Sequence, residues 1–454
     1  MSRFFFKSRV SNVKPKTPVT YKKDNTSKTL EEIIAHVAPE LTPGYSFYVN
    51  PLLSSGHSQT AYTALNKFES IDQVFYKRRV YQVESDKRFY EVKGDKMPYD
   101  RWEGQSTFAV DYVVNKDASD ANHEQFRPSS QKFDLPPRTE FMDPSHEQAL
   151  LDNDKPLVVA LHGLAGGSFE SYLRAFMVRV TYDHGFDGLV LNARGCANHT
   201  ITSPQLFCAL WTNDLRYLIN EHISKKWPNK KLFLIGFSLG GSIISNYLGQ
   251  EGSEVYQNIK GAAIMGSPWD FPQASSALVD NFIGSNIYSP KMCQNLLRLL
   301  DQHYDDSLHL EEVIASYKKN PESFQVQNLR DFDDAFTSQL FGFNSAQEYY
   351  RHASPDQRLL NVRVPMLIVN SADDPIVGGK TAPFSEVSLN PYTHMILTTV
   401  GGHLGWFDIK HNRWYAEPLA RFFAEWSTWD VKHLPEESLP RATHGSWKHD
   451  RIVS

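Results

Sequence analysis

Three residues far apart in the chain have the side chains that nucleophilic catalysis needs: Ser238, Asp374 and His403. A serine hydroxyl is a poor nucleophile at neutral pH. It needs a base within hydrogen-bond reach, and the base needs a carboxylate to orient it. Ser238 stands at the centre of Gly236-Phe237-Ser238-Leu239-Gly240, a G-x-S-x-G nucleophile elbow. The spacing has a steric cause: the serine at the tip is strained, and its neighbours two residues away on each side nearly touch. By chance the bare pattern appears in about one chain in seven of this length. Its context carries the argument: the apolar run Leu232 to Ile235 before it and the small residues Gly241, Ser242 and Ser245 after it read as strand, turn and helix.

The acid and the base follow in the order Ser, Asp, His, each just past an apolar run that reads as a strand. His403 lies in Gly401-Gly402-His403-Leu404-Gly405-Trp406, after the run 393–400. Asp373 and Asp374 are adjacent, and only one can face the histidine. Asp374, directly before Pro375, is the expected partner, and Asp373 is a candidate turn-capping carboxylate. An oxyanion requires two N–H donors aimed at the developing charge. The backbone amides expected to supply them are those of Leu239, after the serine, and Leu164, in His162-Gly163-Leu164-Ala165-Gly166-Gly167. His162 itself is expected to be structural.

These residues need a scaffold that brings strand ends to one edge. The runs 157–161, 186–191, 232–235, 259–265, 364–370 and 393–400 alternate with helical patterns at 170–184, 208–226 and 412–427. Such alternation predicts a mostly parallel α/β sheet, with ligands at the carboxyl ends of its strands. Runs 74–83 and 108–114 read as further strands. Residues 115–150 are polar and read as a partly disordered surface insertion, while 267–360 interrupt the alternation with helical patterns at 291–303, 309–318 and 345–352 and many aromatics. The expected organisation is a basic tail at 1–27, one domain over 28–429 with a helical cap at about 267–360, and a polar tail at 430–454. The basic tail is expected to be disordered, with an organelle-targeting (mitochondrial) or membrane-surface segment as the alternative.

Composition excludes several classes. Net charge is −5, so no nucleic-acid partner is implied. Three cysteines (Cys196, Cys208 and Cys293) support no disulfide framework and suit a reducing, cytoplasmic setting. No apolar run approaches the roughly 20 residues that span a bilayer. P-loop, His-Glu-x-x-His and paired C-x-x-C motifs are missing, and no metal or cofactor is implied. His403 and Asp408 also satisfy an H-x-x-x-x-D spacing, read as coincidental because His403 already serves as the base.

The segments Gly56-His57-Ser58-Gln59-Thr60, 162–167, Asn192-Ala-Arg-Gly195, 236–240, Asp373-Asp374-Pro375 and 401–406 stand together in an order that resembles the YheT-like AB hydrolases. The match runs from about residue 45 to 427. It is nearest to the fungal medium-chain fatty acid ethyl ester synthase/esterase and monoacylglycerol lipase members, the lipase-like branch above all. Ser58, where the family usually has Leu, departs from the pattern outside the catalytic set. The resemblance implies an alpha/beta-hydrolase fold with a helical cap, hydrolysis of medium- or long-chain esters, and acyl transfer to alcohols. It implies a lipid ester substrate, with peripheral contact to a membrane or lipid droplet as an open question. Two other readings stay open. A non-catalytic binding protein would show a broken triad or a blocked oxyanion loop, and an amidase or peptidase would show a polar pocket rather than an apolar one.

Overall fold

The computed structural model describes residues 6–84, 91–92, 95–96 and 105–431. Its centre is an eleven-stranded sheet. In chain order the strands are β1 (Lys7–Val13), β2 (Ser46–Tyr48), β3 (Phe75–Glu84), β4 (Gln105–Val114), β5 (Thr139–Phe141), β6 (Leu157–Leu161), β7 (Asp187–Asn192), β8 (Leu232–Phe237), β9 (Ile259–Met265), β10 (Met366–Ser371) and β11 (Thr393–Thr398). Their spatial order is β2-β1-β11-β10-β9-β8-β6-β7-β4-β3-β5. The six from β11 to β7 run parallel. β4 and β1 join antiparallel on opposite sides of this block.

The parallel strands are continuous apolar runs because both faces are covered. Every residue of β6, β8 and β10 is buried. Alternate side chains separate two cores. Leu234, Ile264 and Ile368 enter one, while Phe233, Ala263 and Leu367 enter the other. Eight helices matter for the site: α1 (Leu30–Val37), α2 (Gly56–Leu65), α3 (Ser171–Val178), α4 (Leu239–Glu251), α5 (Phe271–Asp280), α6 (Ser289–Gln302), α7 (Ala346–Ala353) and α8 (Ala416–Trp426). α4 follows β8 directly and is buried along its whole length. α5, α6 and α7 belong to the segment between β9 and β10. Among the described residues no helix is long and apolar enough to cross a membrane.

Three expectations are corrected. Residues 7–23, read as a disordered tail or a targeting segment, are part of the fold: β1 pairs with β11, and Thr20–Lys23 forms a hairpin with Thr26–Thr29. A lysine and an arginine on the exposed face hide a strand whose inward residues are only Ser8 and Val10. Residues 208–212, expected to begin a helix, form turns, and the helix starts at Asn213, widening into a π-helical stretch at Tyr217–Ile223. Tertiary contacts override the periodicity there: the Ala209 N–H donates to the Tyr349 phenol oxygen (3.0 Å), and Ala209 O accepts from Asn246 Nδ2 (3.1 Å). The 115–150 region is ordered. β5 adds to β3, and fully buried Glu147 accepts hydrogen bonds from the Tyr81 and Tyr112 hydroxyls (2.5 Å each). The polar C-terminal tail falls outside the described residues beyond Val431.

Candidate active site

The turn from β8 into α4 puts Ser238 in a conformation that side chains rarely adopt, with φ +51° and ψ −121°. Backbone bonds hold it there. Ser238 N–H donates to Met265 O (2.9 Å), and Ser238 O accepts from Ser267 Oγ (2.7 Å). The glycines are required by close approach. A Cβ on Gly236 would lie 2.5 Å from Gly240 O, and one on Gly240 would lie 2.4 Å from Leu161 O. The strain is thus held by the surrounding strands rather than by the turn alone.

The loops after β10 and β11 converge on the serine. His403 Nε2 lies 3.0 Å from Ser238 Oγ, and His403 Nδ1 lies 2.8 Å from Asp374 Oδ2. The Asp374 carboxylate is fully buried. Its other oxygen accepts from the N–H groups of Ile376 (2.8 Å) and Val377 (3.1 Å), so both its oxygens are occupied. Asp373 turns the other way: one of its oxygens accepts from the Gly401 and Gly402 N–H groups (3.0 Å each) and from Ser371 Oγ (2.7 Å). The two adjacent carboxylates divide the work: one faces the imidazole, and the other pins the loop that carries it.

Sequence reasoning missed who fixes that loop from outside. Thr60 Oγ1 accepts from the His403 N–H (2.8 Å) and donates to Gly56 O (2.7 Å). Gln59 brackets Phe407, accepting from its N–H (2.8 Å) and donating to its carbonyl (3.1 Å). Gly56 leaves no room for a side chain, since a Cβ there would fall 1.8 Å from Asp373 O. The 56–60 segment stands out in the sequence as a motif, but nothing local says that its polar groups serve a loop about 350 residues away.

The loop after β6 lies against the elbow. A Cβ on Gly163 would sit 3.3 Å from the Ser238 Cβ. Gly163 N–H donates to the Tyr172 hydroxyl oxygen (2.9 Å), and Ala165 takes φ +54°. Among the described residues neither the Leu164 nor the Leu239 N–H is given a protein acceptor, and both residues line the cavity next to Ser238. His162 is buried, accepts at Nε2 from the Ala193 N–H (3.1 Å), and is held neutral, its pKa pushed down to about 4 by burial. It supports the neighbouring loop rather than facing the serine.

Ser238 opens into a cavity lined mostly by apolar side chains. Leu164, Leu239, Ile376 and Val377 line it from the sheet side, and Phe271, Leu278, Met292, Leu296, Phe332 and Leu340 from the cap. The cap aromatics divide. Phe271, Phe332, Phe341, Tyr349 and Tyr350 reach the cavity, while Tyr317, Phe324 and Phe336 pack on one another as ordinary core. One buried carboxyl interrupts the apolar wall: Asp333, which accepts from Thr337 Oγ1 (2.6 Å) and the Tyr350 hydroxyl (2.8 Å). Burial pushes its pKa up to about 6.

The model of the alpha/beta hydrolase fold matches residues 156–386. The chain is 36% identical to a monoacylglycerol lipase of Saccharomyces cerevisiae, over 90% of this chain and 88% of that one. It is 31% identical to medium-chain fatty acid ethyl ester synthase/esterase 2 of the same yeast, over 89% of this chain and 91% of that one. It is 30% identical to the phospholipase ABHD3 of Bos taurus, over 56% of this chain and 59% of the relative. A family model spanning half the chain, and relatives aligned over nearly all of it, agree with the parallel sheet and its elbow: the chain belongs to the alpha/beta hydrolase fold family.

Proposed function

We propose that this protein is a serine hydrolase of medium- and long-chain fatty acyl esters, monoacylglycerols among them. The observation that carries the reading is the continuous hydrogen-bonded line Ser238 Oγ, His403, Asp374 at the mouth of an apolar cavity. Ser238 attacks the ester carbonyl as His403 Nε2 takes its proton. Asp374 holds the imidazole in the tautomer that accepts at Nε2 and stabilises the imidazolium. The Leu164 and Leu239 N–H groups receive the oxyanion, each worth about 3 to 4 kcal/mol in sites of this kind. The tetrahedral intermediate collapses, the C–O bond to the alcohol breaks, and His403 returns the proton to the leaving alkoxide. Water then attacks the acyl-enzyme by the same route and releases the fatty acid. An alcohol in place of water gives a new ester, which is the synthase reaction named for one yeast relative. The apolar cavity supports an acyl chain over a charged peptide or amine.

We propose in addition that the cap meets a membrane or lipid-droplet surface. Phe282 and Ile287 are exposed (79% and 56%) on the segment that follows α5, whose inner face lines the cavity with Leu278. Phe282→Asp is expected to reduce sedimentation with phosphatidylcholine vesicles, and unchanged sedimentation would remove this surface from the reading.

The direct test of the chemistry is labelling with a fluorophosphonate probe, wild type beside Ser238→Ala, followed by turnover of monoacylglycerols and fatty acid ethyl esters. Labelling and turnover lost together in the variant are the expected result. Turnover that survives in Ser238→Ala would overturn the assignment.

A further inference from the structure

From the placement of His57 and Tyr288 we infer that these two residues form the subsite for the alcohol half of the ester, built to hydrogen-bond a polyol such as glycerol. The inference rests on the triad reading above and adds to it a place for the leaving group.

The starting point is the side of the serine that the cavity leaves unused. The cavity walls include Ser238, Leu164 and Leu239, but not His403. An acyl chain in that cavity leaves the alcohol to extend the other way. The direction is further fixed by chemistry, because the proton on His403 Nε2 must reach the alkoxide, which puts that oxygen within about 3 Å of the imidazole. The alcohol carbons then continue past His403.

His57 follows a residue that borders this side of the triad, and Tyr288 is hydrogen-bonded to His57. Gly56, the residue before His57, is wedged against Asp373 and Gly402, the chain neighbours of Asp374 and His403. His57 stacks on Tyr288, with ring centres 5.7 Å apart and planes within 8° of parallel, and its Nδ1 lies 3.1 Å from the Tyr288 hydroxyl. Tyr288 comes from the cap, and its pKa is raised, by burial first and by the Asp374 charge second. Both residues are only half-buried, so part of each can be reached from solvent. The pair offers what a polyol needs beside an apolar acyl site: a phenol hydroxyl that donates and accepts, an imidazole nitrogen that the mutual hydrogen bond leaves free, and flat ring faces for the carbon backbone. An ethyl group has no hydroxyl to pair with them. A site built to hydrogen-bond a substrate hydroxyl discriminates against the analogue lacking it, because its own polar groups are then left unpaired.

The test compares one acyl chain on two alcohols. Wild type, His57→Phe and Tyr288→Phe are assayed with 1-monodecanoylglycerol and ethyl decanoate, and the ratio of the two kcat/KM values is the readout. Tyr288→Phe removes only the hydroxyl, while His57→Phe keeps an aromatic ring but removes both nitrogens. The ratio is taken within one preparation, so any loss of folded protein cancels. Each variant is expected to lower the glycerol-to-ethyl ratio about tenfold, the equivalent of one hydrogen bond. A ratio unchanged within twofold, or the two substrates falling in parallel, would overturn the subsite. Ser238→Ala run alongside separates the two hypotheses: ethyl decanoate turnover lost in that variant upholds the triad even where the subsite fails.

Discussion

The loops at the strand ends and the cap over them solve different problems with different means. The loops hold the serine, histidine and aspartate by backbone bonds, positive φ angles and glycines that no larger residue can replace. The cap is made of helices joined by turns, and it lines its cavity with ordinary apolar side chains. In the mechanism we propose, the contrast follows from what each must deliver. Proton transfer and oxyanion stabilisation depend on tenths of an ångström. An acyl chain needs volume and dryness, which many packings supply.

The comparison breaks or holds on graded losses. The largest effects belong to the loops. Ser238→Ala and His403→Ala are each expected to lower kcat about 10,000-fold or more, measured by ester turnover with the folded state checked by circular dichroism. The two aspartates sharpen the point. Asp374→Asn should cost about 10,000-fold by presenting the wrong tautomer partner. Asp373→Asn keeps an acceptor oxygen for Gly401 and Gly402 and should cost about tenfold or less. Equal losses at the two positions would show that their division of labour is misread.

One step smaller is Thr60→Val, which removes the acceptor of the His403 N–H. A loss of about tenfold in kcat with little change in KM is expected, since it displaces the base and not the acyl site. The cap should respond in kind rather than in amount. Phe332→Ala enlarges the cavity and is expected to move the preferred chain length upward, with kcat/KM on the original best substrate changing only a few-fold. A collapse of turnover on every chain length would mean that the cap, too, is a precision part.

The smallest effect is on stability. Asp333 holds its proton up to about pH 6 because burial penalises the charged carboxylate, against an ordinary value of 3.8. The folded state therefore binds this proton more tightly than the unfolded chain. That contribution is full below about pH 4 and is lost as the pH rises through about 6. Asp333→Asn, which does not titrate there, should gain in Tm relative to wild type between pH 4 and 7, seen in paired thermal melts.

The same contrast decides what was legible in the sequence. The buried parallel strands announce themselves as apolar runs, and the elbow, the Asp-Asp-Pro turn and the Gly-Gly-His loop sit at their ends, so Ser238, Asp374 and His403 follow from one-dimensional order. The roles of Gln59, Thr60 and Tyr172 do not, because each bonds a backbone group that only the fold brings near. β1 was illegible for a related reason: its outward residues are charged or polar, and its strand character comes from its neighbour. In the cap, helices can be read from periodicity, but no pattern tells Phe332, on the cavity, from Phe336, buried away from it.

The first strand of the sheet also sets a condition on the order of events during synthesis. Ser8 Oγ donates to Val400 O (2.6 Å), across 392 positions of chain. β1 therefore emerges from the ribosome long before β11, one of its two sheet partners, has been made. At about 5 to 20 residues per second that wait lasts roughly 20 to 80 s, throughout which the edge of segment 7–13 that will meet β11 has no partner, since β2 pairs only with the other edge, through Lys7–Arg9. Its exposed lysine and arginine positions are the kind that discourage pairing with other chains. The residues that disguise this strand in the sequence also guard it until β11, and the histidine loop beyond it, have been built.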